Sequence, residues 1–314
     1  MRFEPEGGQR SMGPDGRKLV PRARSQAPAF YRMMLGEWEV TALCDGTVDV
    51  PFDTLLSGMA PADVQEIYGR CGERLPAEIS INAYLIHTGS QLVLVDTGAG
   101  ELFGERGGGE LADAIKLAGY LVDQIDVVLL THVHADHSGG LTVDGKRVFE
   151  NAMVHVADAE RQHWFSAEDE ANAPAHRKHS FPQGRASLAP YIDAGRLNTF
   201  SGRTELLPGI TAVPAPGHTP GHTLYQLQSG GQRLVIWGDI VHSAQVQIPH
   251  PNVSIKFDSD EPAAAAQREA VFQQAADEHW LIGAAHISFP GLGRLSRDAG
   301  GYRWTPVTYS RRGL

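Results

Sequence analysis

The segment Thr131-His132-Val133-His134-Ala135-Asp136-His137-Ser138-Gly139-Gly140 constrains this chain more than any other. It follows directly on Ile125 to Leu130, an apolar, β-branched run of the kind that forms a buried strand. Four potential metal ligands fall within six residues, in the pattern HxHxDH. Imidazole nitrogen and carboxylate oxygen suit zinc and similar divalent ions. On an extended loop His132 and His134 can point the same way. Asp136 and His137 can then face a second ion, and the glycines let the chain pass close to it. A lone histidine would read as a loop residue, but four ligands at this spacing after a strand read as a metal site.

Two ions need further ligands, and the chain supplies them at other strand ends. His218 lies in Pro216-Gly217-His218-Thr219-Pro220-Gly221-His222-Thr223, Asp239 follows Trp237-Gly238, and His286 follows Ala284-Ala285. A carboxylate has two oxygens, so Asp239 can serve both ions. Each of these residues alone would read as a cap or loop residue; in this chain order they form a specific signature.

Around the motif the sequence alternates between strands and fewer helices. Strands are expected at Trp38 to Leu43, ending in an Asp45-Gly46 turn, at Ile81 to Ile86, and at Gln91 to Val95 across a Thr88-Gly89-Ser90 turn. Further strands are expected at Met153 to Val156, Ile210 to Pro214, Leu224 to Leu227 and Leu234 to Trp237, with a short apolar run at Leu281 to Ala285. Helices are expected over residues 110–120 and 262–278, the second opened by Pro262. Two sheets covered by outer helices fit this order better than a doubly wound parallel sheet. Residues 158–200 are polar, carry Trp164, Phe181 and Tyr191, and read as a lid or pocket wall with helical stretches.

Bulk properties narrow the partners. The 314 residues carry 27 Lys plus Arg against 37 Asp plus Glu, a formal net charge of −10. Such a balance disfavours nucleic acid and anionic membranes, which rely on basic patches. No apolar run reaches the length of a membrane span. The two cysteines, Cys44 and Cys71, do not form a disulfide framework and read as buried thiols or one bridge. Residues 1–26, rich in Gly, Arg and Pro and without an apolar core, read as an N-terminal arm rather than a signal peptide, leaving 27–314 as one domain. A cytoplasmic location is the expectation.

The order HVHADH, PGHTPGHT, GD and a C-terminal His, with Val95-Asp96-Thr97-Gly98 upstream, resembles the metallo-β-lactamase superfamily. Within it, residues from about 30 onward look like the methyl parathion hydrolase branch, through VDTGAGELFG at 95–104, HTPGHT at 218–223, SFPGLG at 288–293 and GYRWTP at 301–306. The resemblance implies an αββα sandwich with metals in a cleft at one edge. It implies one metal on His132, His134 and His218, a second on Asp136, His137 and His286, and Asp239 bridging them with a hydroxide. It places Asp96 among second contacts rather than ligands and leaves His222 to order its loop. It also implies an aromatic pocket of Phe103, Trp164 and Phe181; Phe103 could equally be a packing residue, whereas Trp164 and Phe181 sit in otherwise polar sequence, which favours the pocket. Two departures from that branch stand out: Ala135 replaces a proline, and His242 replaces an apolar pocket residue.

The expected function is a binuclear hydrolase, with two divalent ions, zinc first and manganese, cobalt or iron as alternatives. Asp239, Asp136 and His242 are its expected catalytic side chains, and Phe103, Trp164, Phe181 and His242 its substrate contacts. The substrate is expected to be a neutral or hydrophobic phosphotriester, lactone or aryl ester, and the resemblance implies a homodimer. The alternatives are an acyl-homoserine lactonase or a glyoxalase II-like thioesterase on the same fold, an iron redox protein, or a non-catalytic metal-binding protein. No GxSxG, Walker or GxGxxG context offers a rival chemistry.

Overall fold

The computed structural model describes residues 27, 29–104, 107–298 and 300–310; the N-terminal arm lies outside the described residues. Two seven-stranded sheets, each laid down in chain order, face one another. The first runs β1 (Phe30–Leu35), β2 (Trp38–Val50), β3 (Ala77–His87), β4 (Leu92–Val95), β5 (Val127–Leu129), β6 (Met153–Ala157) and β7 (Leu197–Phe200). The second runs β8 (Thr204–Leu207), β9 (Ile210–Pro214), β10 (Thr223–Ser229), β11 (Gln232–Ile236), β12 (Leu281–Gly283), β13 (Leu292–Asp298) and β14 (Gly301–Pro306). The early hairpins β1–β4 are antiparallel, whereas β4 to β7 are parallel and need crossover segments between them.

Alternation along the strands sorts side chains into layers. Val93, Val95, Val127 and Leu129 of the first sheet meet Ala212, Tyr225, Leu227 and Ile236 of the second between the sheets. Leu92, Leu94, Val128 and Val154 point outward, beneath Leu111 and Ile115 of helix α2 (Leu111–Leu117). On the far side, Val235, Trp237 and Ile282 pack under Val271, Phe272 and Ala275 of α7 (Glu261–Asp277). Asp260 caps α7 by accepting the Ala263 N–H, and Pro262 fixes its first turn. The result is the expected four-layer αββα order. At about 1.5–3 kcal/mol per fully buried large aliphatic side chain, the layer between the sheets is the main stabilising term.

The polar stretch 158–200 folds into three helices, α4 (Asp158–Phe165), α5 (Ala167–Asn172) and α6 (Ser180–Asp193). Ser166 caps α5 through the Asp169 N–H, and α6 buries Phe181, Leu188 and Tyr191. The expected turn at Asp45-Gly46 is instead a β-bulge. Strand β2 continues to Val50, and its pairing with β3 shifts between Cys44 and Gly46. The bulge turns Asp45 inward, where its carboxylate accepts the N–H groups of Ala99, Gly109 and Leu111. The cysteines form no bridge, and Cys71 is exposed rather than buried. No helix among the described residues is long and apolar enough to cross a membrane.

Candidate metal centre

The seven expected ligands converge where the ends of both sheets meet. The loop after β5 supplies His132 and His134. The short helix α3 (Ala135–Ser138) supplies Asp136 and His137. His218 comes from the β9–β10 loop, Asp239 from the turn after β11, and His286 from the segment after β12. Backbone bonds lock the loops together: Thr223 N–H donates to Thr131 O, and Tyr225 Oη donates to Leu130 O.

The donor atoms form overlapping groups around one carboxylate. His132, His134, His218 and Asp239 make the first, and Asp136, His137 and His286 the second; Asp239, His286 and His242 also lie within ligand reach of one another. Oδ2 of Asp239 lies 3.1 Å from His218 Nε2 and 3.6 Å from His132 Nε2, while its Oδ1 lies 3.0 Å from His137 Nε2 and 3.2 Å from His286 Nε2. Asp136 Oδ2 closes the second group, 3.4 Å from His286 Nε2. In the first group His134 Nδ1 faces Nε2 of both His132 and His218 at 3.0 Å. Three ring nitrogens aimed at one point cannot all be satisfied by protons, but they suit a cation. Among the described residues, buried His137 Nε2 and Asp239 Oδ1 face each other at 3.0 Å without the geometry of a hydrogen bond, and neither has another hydrogen-bond partner. The donor set therefore fits two divalent ions.

Each imidazole except His134 is oriented through its other nitrogen, as metal-binding histidines usually are. His137 Nδ1 meets Asp96 Oδ2 at 2.9 Å, His218 Nδ1 meets Asp258 Oδ1 at 2.9 Å, and His286 Nδ1 donates to Ser80 O at 3.1 Å. His132 Nδ1 lies 3.1 Å from Thr131 Oγ1, which itself donates to Asp96. His222 lies outside these donor groups. Burial and the neighbouring His218 lower it to about 3, so it stays neutral; its Nδ1–H donates to Ala215 O and its Nε2 accepts the Asp239 N–H at 3.0 Å. A Cβ on Gly238 would sit 2.6 Å from that Nε2, and φ there is +55°, so glycine is required for the contact.

The electrostatics follow the same division. Burial opposes charge on every group. It leaves His132 and His134 well below their ordinary value. At His137 burial is outweighed by Asp239, Asp136 and Asp96, which raise it, and at His218 by Asp239 and Asp258, which raise it to about 9. Burial would raise Asp239, but the surrounding imidazoles, His137 first, hold it well below the carboxylate range.

His242 is buried rather than half-exposed at a cleft mouth, only 4% accessible. Its Nε2 lies 3.1 Å from Asp239 Oδ2, and its ring stacks on His286 at 5.3 Å. Burial keeps it below its ordinary value despite Asp239, so at neutral pH it offers one N–H, not an imidazolium. With His286 it lines a 280 Å³ cavity. On the other flank, Trp164 and Phe181, ring centroids 5.0 Å apart, line a 460 Å³ cavity beside His134. Both aromatic side chains also belong to the core cluster. The rest of that cavity is more polar than an apolar pocket, with His163, Asp169, Arg177 and Asp260 in its lining. Phe103 is half-buried and belongs to the lining of neither cavity. Sequence reasoning missed Asp258 and Glu160, both wholly buried, which carry no motif.

Known proteins resemble this chain in sequence and fold. Residues 77–286 match the family described as the metallo-beta-lactamase superfamily. A solved hydrolase, AbOPH, described as in the beta lactamase superfamily, is 32% identical with a TM-score of 0.87, over 91% of this chain and 100% of its own. AidC, a dizinc quorum-quenching lactonase solved with N-hexanoyl-L-homoserine, is 27% identical with a TM-score of 0.83, over 90% of this chain and 99% of its own. An atrochrysone carboxyl ACP thioesterase of Passalora fulva is 28% identical over 51% of this chain, and an N-acyl homoserine lactonase of Bacillus thuringiensis 25% over 49%. The matched stretches span only 38% of that thioesterase and 61% of that lactonase. The chain belongs to the metallo-beta-lactamase superfamily and is a metal-dependent hydrolase.

Proposed function

We propose that this chain is a binuclear lactonase acting on neutral lactones with a hydrophobic acyl substituent. The observation that carries this reading is the position of His242. An N–H beside the shared carboxylate is matched to a poor leaving group, the alkoxide released when a lactone ring opens. Nitrophenolate leaves without such help. The similarity to a dizinc lactonase over nine-tenths of the chain supports the same choice. Phosphotriesters and aryl esters form a second substrate class, favoured by the sequence stretches that resemble methyl parathion hydrolase.

In this reading His132, His134 and His218 hold one ion, Asp136, His137 and His286 the other, and Asp239 both. When bound, two such ions supply Lewis acidity toward the substrate oxygen and a nucleophile drawn from water at neutral pH. Asp96, Asp258 and the Ser80 carbonyl fix the imidazoles so that their free nitrogens need no reorganisation. Trp164 and Phe181 take the acyl chain and exclude water from one flank. His242 Nε2–H, which faces Asp239 Oδ2 at rest, shifts its hydrogen bond to the departing oxygen.

A panel of acyl lactones, aryl esters, thioesters and paraoxon-type triesters, assayed with zinc-replete enzyme, tests this. The expected order in kcat/KM places acyl lactones first. Absence of lactone hydrolysis by protein carrying two zinc ions per chain would overturn it.

A further inference from the structure

Glu160 has no solvent exposure, and the reading above gives it no task. It stands in the first turn of α4 and reaches two other segments as well as the next turn of its own helix. Its Oε2 accepts the backbone N–H of Val133 at 3.0 Å and the indole N–H of Trp164 at 2.6 Å. Its Oε1 accepts the backbone N–H of Gly221 at 2.8 Å. Val133 is the residue between His132 and His134, and Gly221 stands between His218 and His222. One carboxylate thus spans both histidine loops of the first ligand group and the wall of the 460 Å³ cavity.

The approach is close. A Cβ on Gly221 would lie 2.5 Å from Glu160 N and 2.8 Å from its Cγ, so the contact needs glycine there. No lysine or arginine among the described residues pairs with Glu160. A buried carboxylate survives without a cation only where its oxygens are hydrogen-bonded, and three N–H donors meet that need. An apolar side chain could fill the volume but could not fix two loops in register.

We propose that Glu160 is the positioning residue of the first metal site and ties its geometry to the substrate wall through Trp164. The proposal rests on the binuclear reading. It assigns no comparable tie to the second group, where Asp136 and His137 sit on α3, Asp96 orients His137, and the Ser80 carbonyl orients His286.

The test is zinc affinity, measured by chelator competition on metal-free protein. The first site is read alone in a His286→Ala background and the second in a His218→Ala background. Glu160→Gln keeps the shape but turns an amide N–H toward one of the three donors. It is expected to weaken the first site about ten- to a hundredfold, the usual range for such outer contacts, and to leave the second unchanged. Trp164→Phe keeps a ring and removes the indole N–H. It should weaken the same site by less, and the double variant should lose less than the two single losses combined. Unchanged first-site affinity in Glu160→Gln, or equal losses at both sites, would overturn the proposal. If Glu160→Gln does not fold, Trp164→Phe decides: unchanged first-site affinity there overturns it. A wild-type chain that binds fewer than two zinc ions would overturn the metal reading, and the proposal with it.

Discussion

His218 Nδ1 lies 2.9 Å from Oδ1 of Asp258, a carboxylate with no exposed surface. The contact leaves His218 Nε2 free to face the shared carboxylate. Asp258 is held in turn: Ile255 N–H donates to its Oδ2, and the Arg268 guanidinium lies 3.7 Å away. Arg268 is itself buried and donates to the carbonyls of Ile240, Pro251 and Val253. Asp258→Asn is therefore expected to cost about ten- to a hundredfold in zinc affinity. The weakened partner of Arg268 should cost a further 1–3 kcal/mol or so of stability. Chelator competition and urea unfolding check the two separately; wild-type zinc affinity would show that the backbone alone orients His218.

Phe181 is both wall and core. Phe181→Leu keeps most of the packing and removes the ring from the cavity beside His134. Expected are a several-fold rise in KM for long-chain or aryl substrates, two zinc ions still bound, and a stability loss of about 1 kcal/mol. A fall in metal content would make Phe181 a support of the site instead of a substrate contact.

His242→Leu removes the N–H that His242 holds beside Asp239 Oδ2 in the wall of the 280 Å³ cavity. Its kcat on lactones should fall by about a hundredfold, the scale of help to a departing oxygen, with a much smaller loss on nitrophenyl triesters. Equal losses on both, at full metal content, would reduce His242 to a shape-giving residue.

Metal-free protein should bind zinc with release of protons. The pKa of His218 is raised to about 9, because Asp239 and Asp258 outweigh its burial, and His137 is raised by its carboxylates in the same way. Since the folded value lies above the unfolded 6.5, the stability gained from the His218 proton is complete below about pH 6.5. It is lost as pH rises through about 9. The Tm of metal-free protein should therefore fall across that window more than that of the zinc-loaded form. Calorimetric zinc titrations in buffers of different ionisation enthalpy measure the release directly. Heats independent of buffer would mean that these imidazoles are already neutral.

The convergence of these seven donor side chains was legible because every member follows an apolar strand run, so the pattern needs only local sequence. The order of strand runs made two sheets legible, but not which side chains lie between them, since Leu92–Val95 is apolar and buried on both faces and so is the end of Gln232–Ile236. Asp45-Gly46 was misread because a turn and a bulge use the same residue types; pairing with Ala77–His87, set by distant residues, decides between them. Glu160 and Asp258 stayed hidden because their partners lie 27 to 61 residues away for the backbone contacts of Glu160, and 40 for the His218 contact of Asp258. Phe103 followed from family likeness alone, and it lines neither cavity.

The sheets divide the chain cleanly, since one ends at Phe200 and the other begins at Thr204. The centre does not respect that division. His132, His134, Asp136 and His137 belong to the first half, and His218, Asp239 and His286 to the second. A backbone cut at residues 201–203 would leave two fragments, each with a whole sheet and its own outer helices, and neither with a complete set of donors. Zinc would act as the clasp of such a split protein, so reassembly of the halves would become a function of metal concentration.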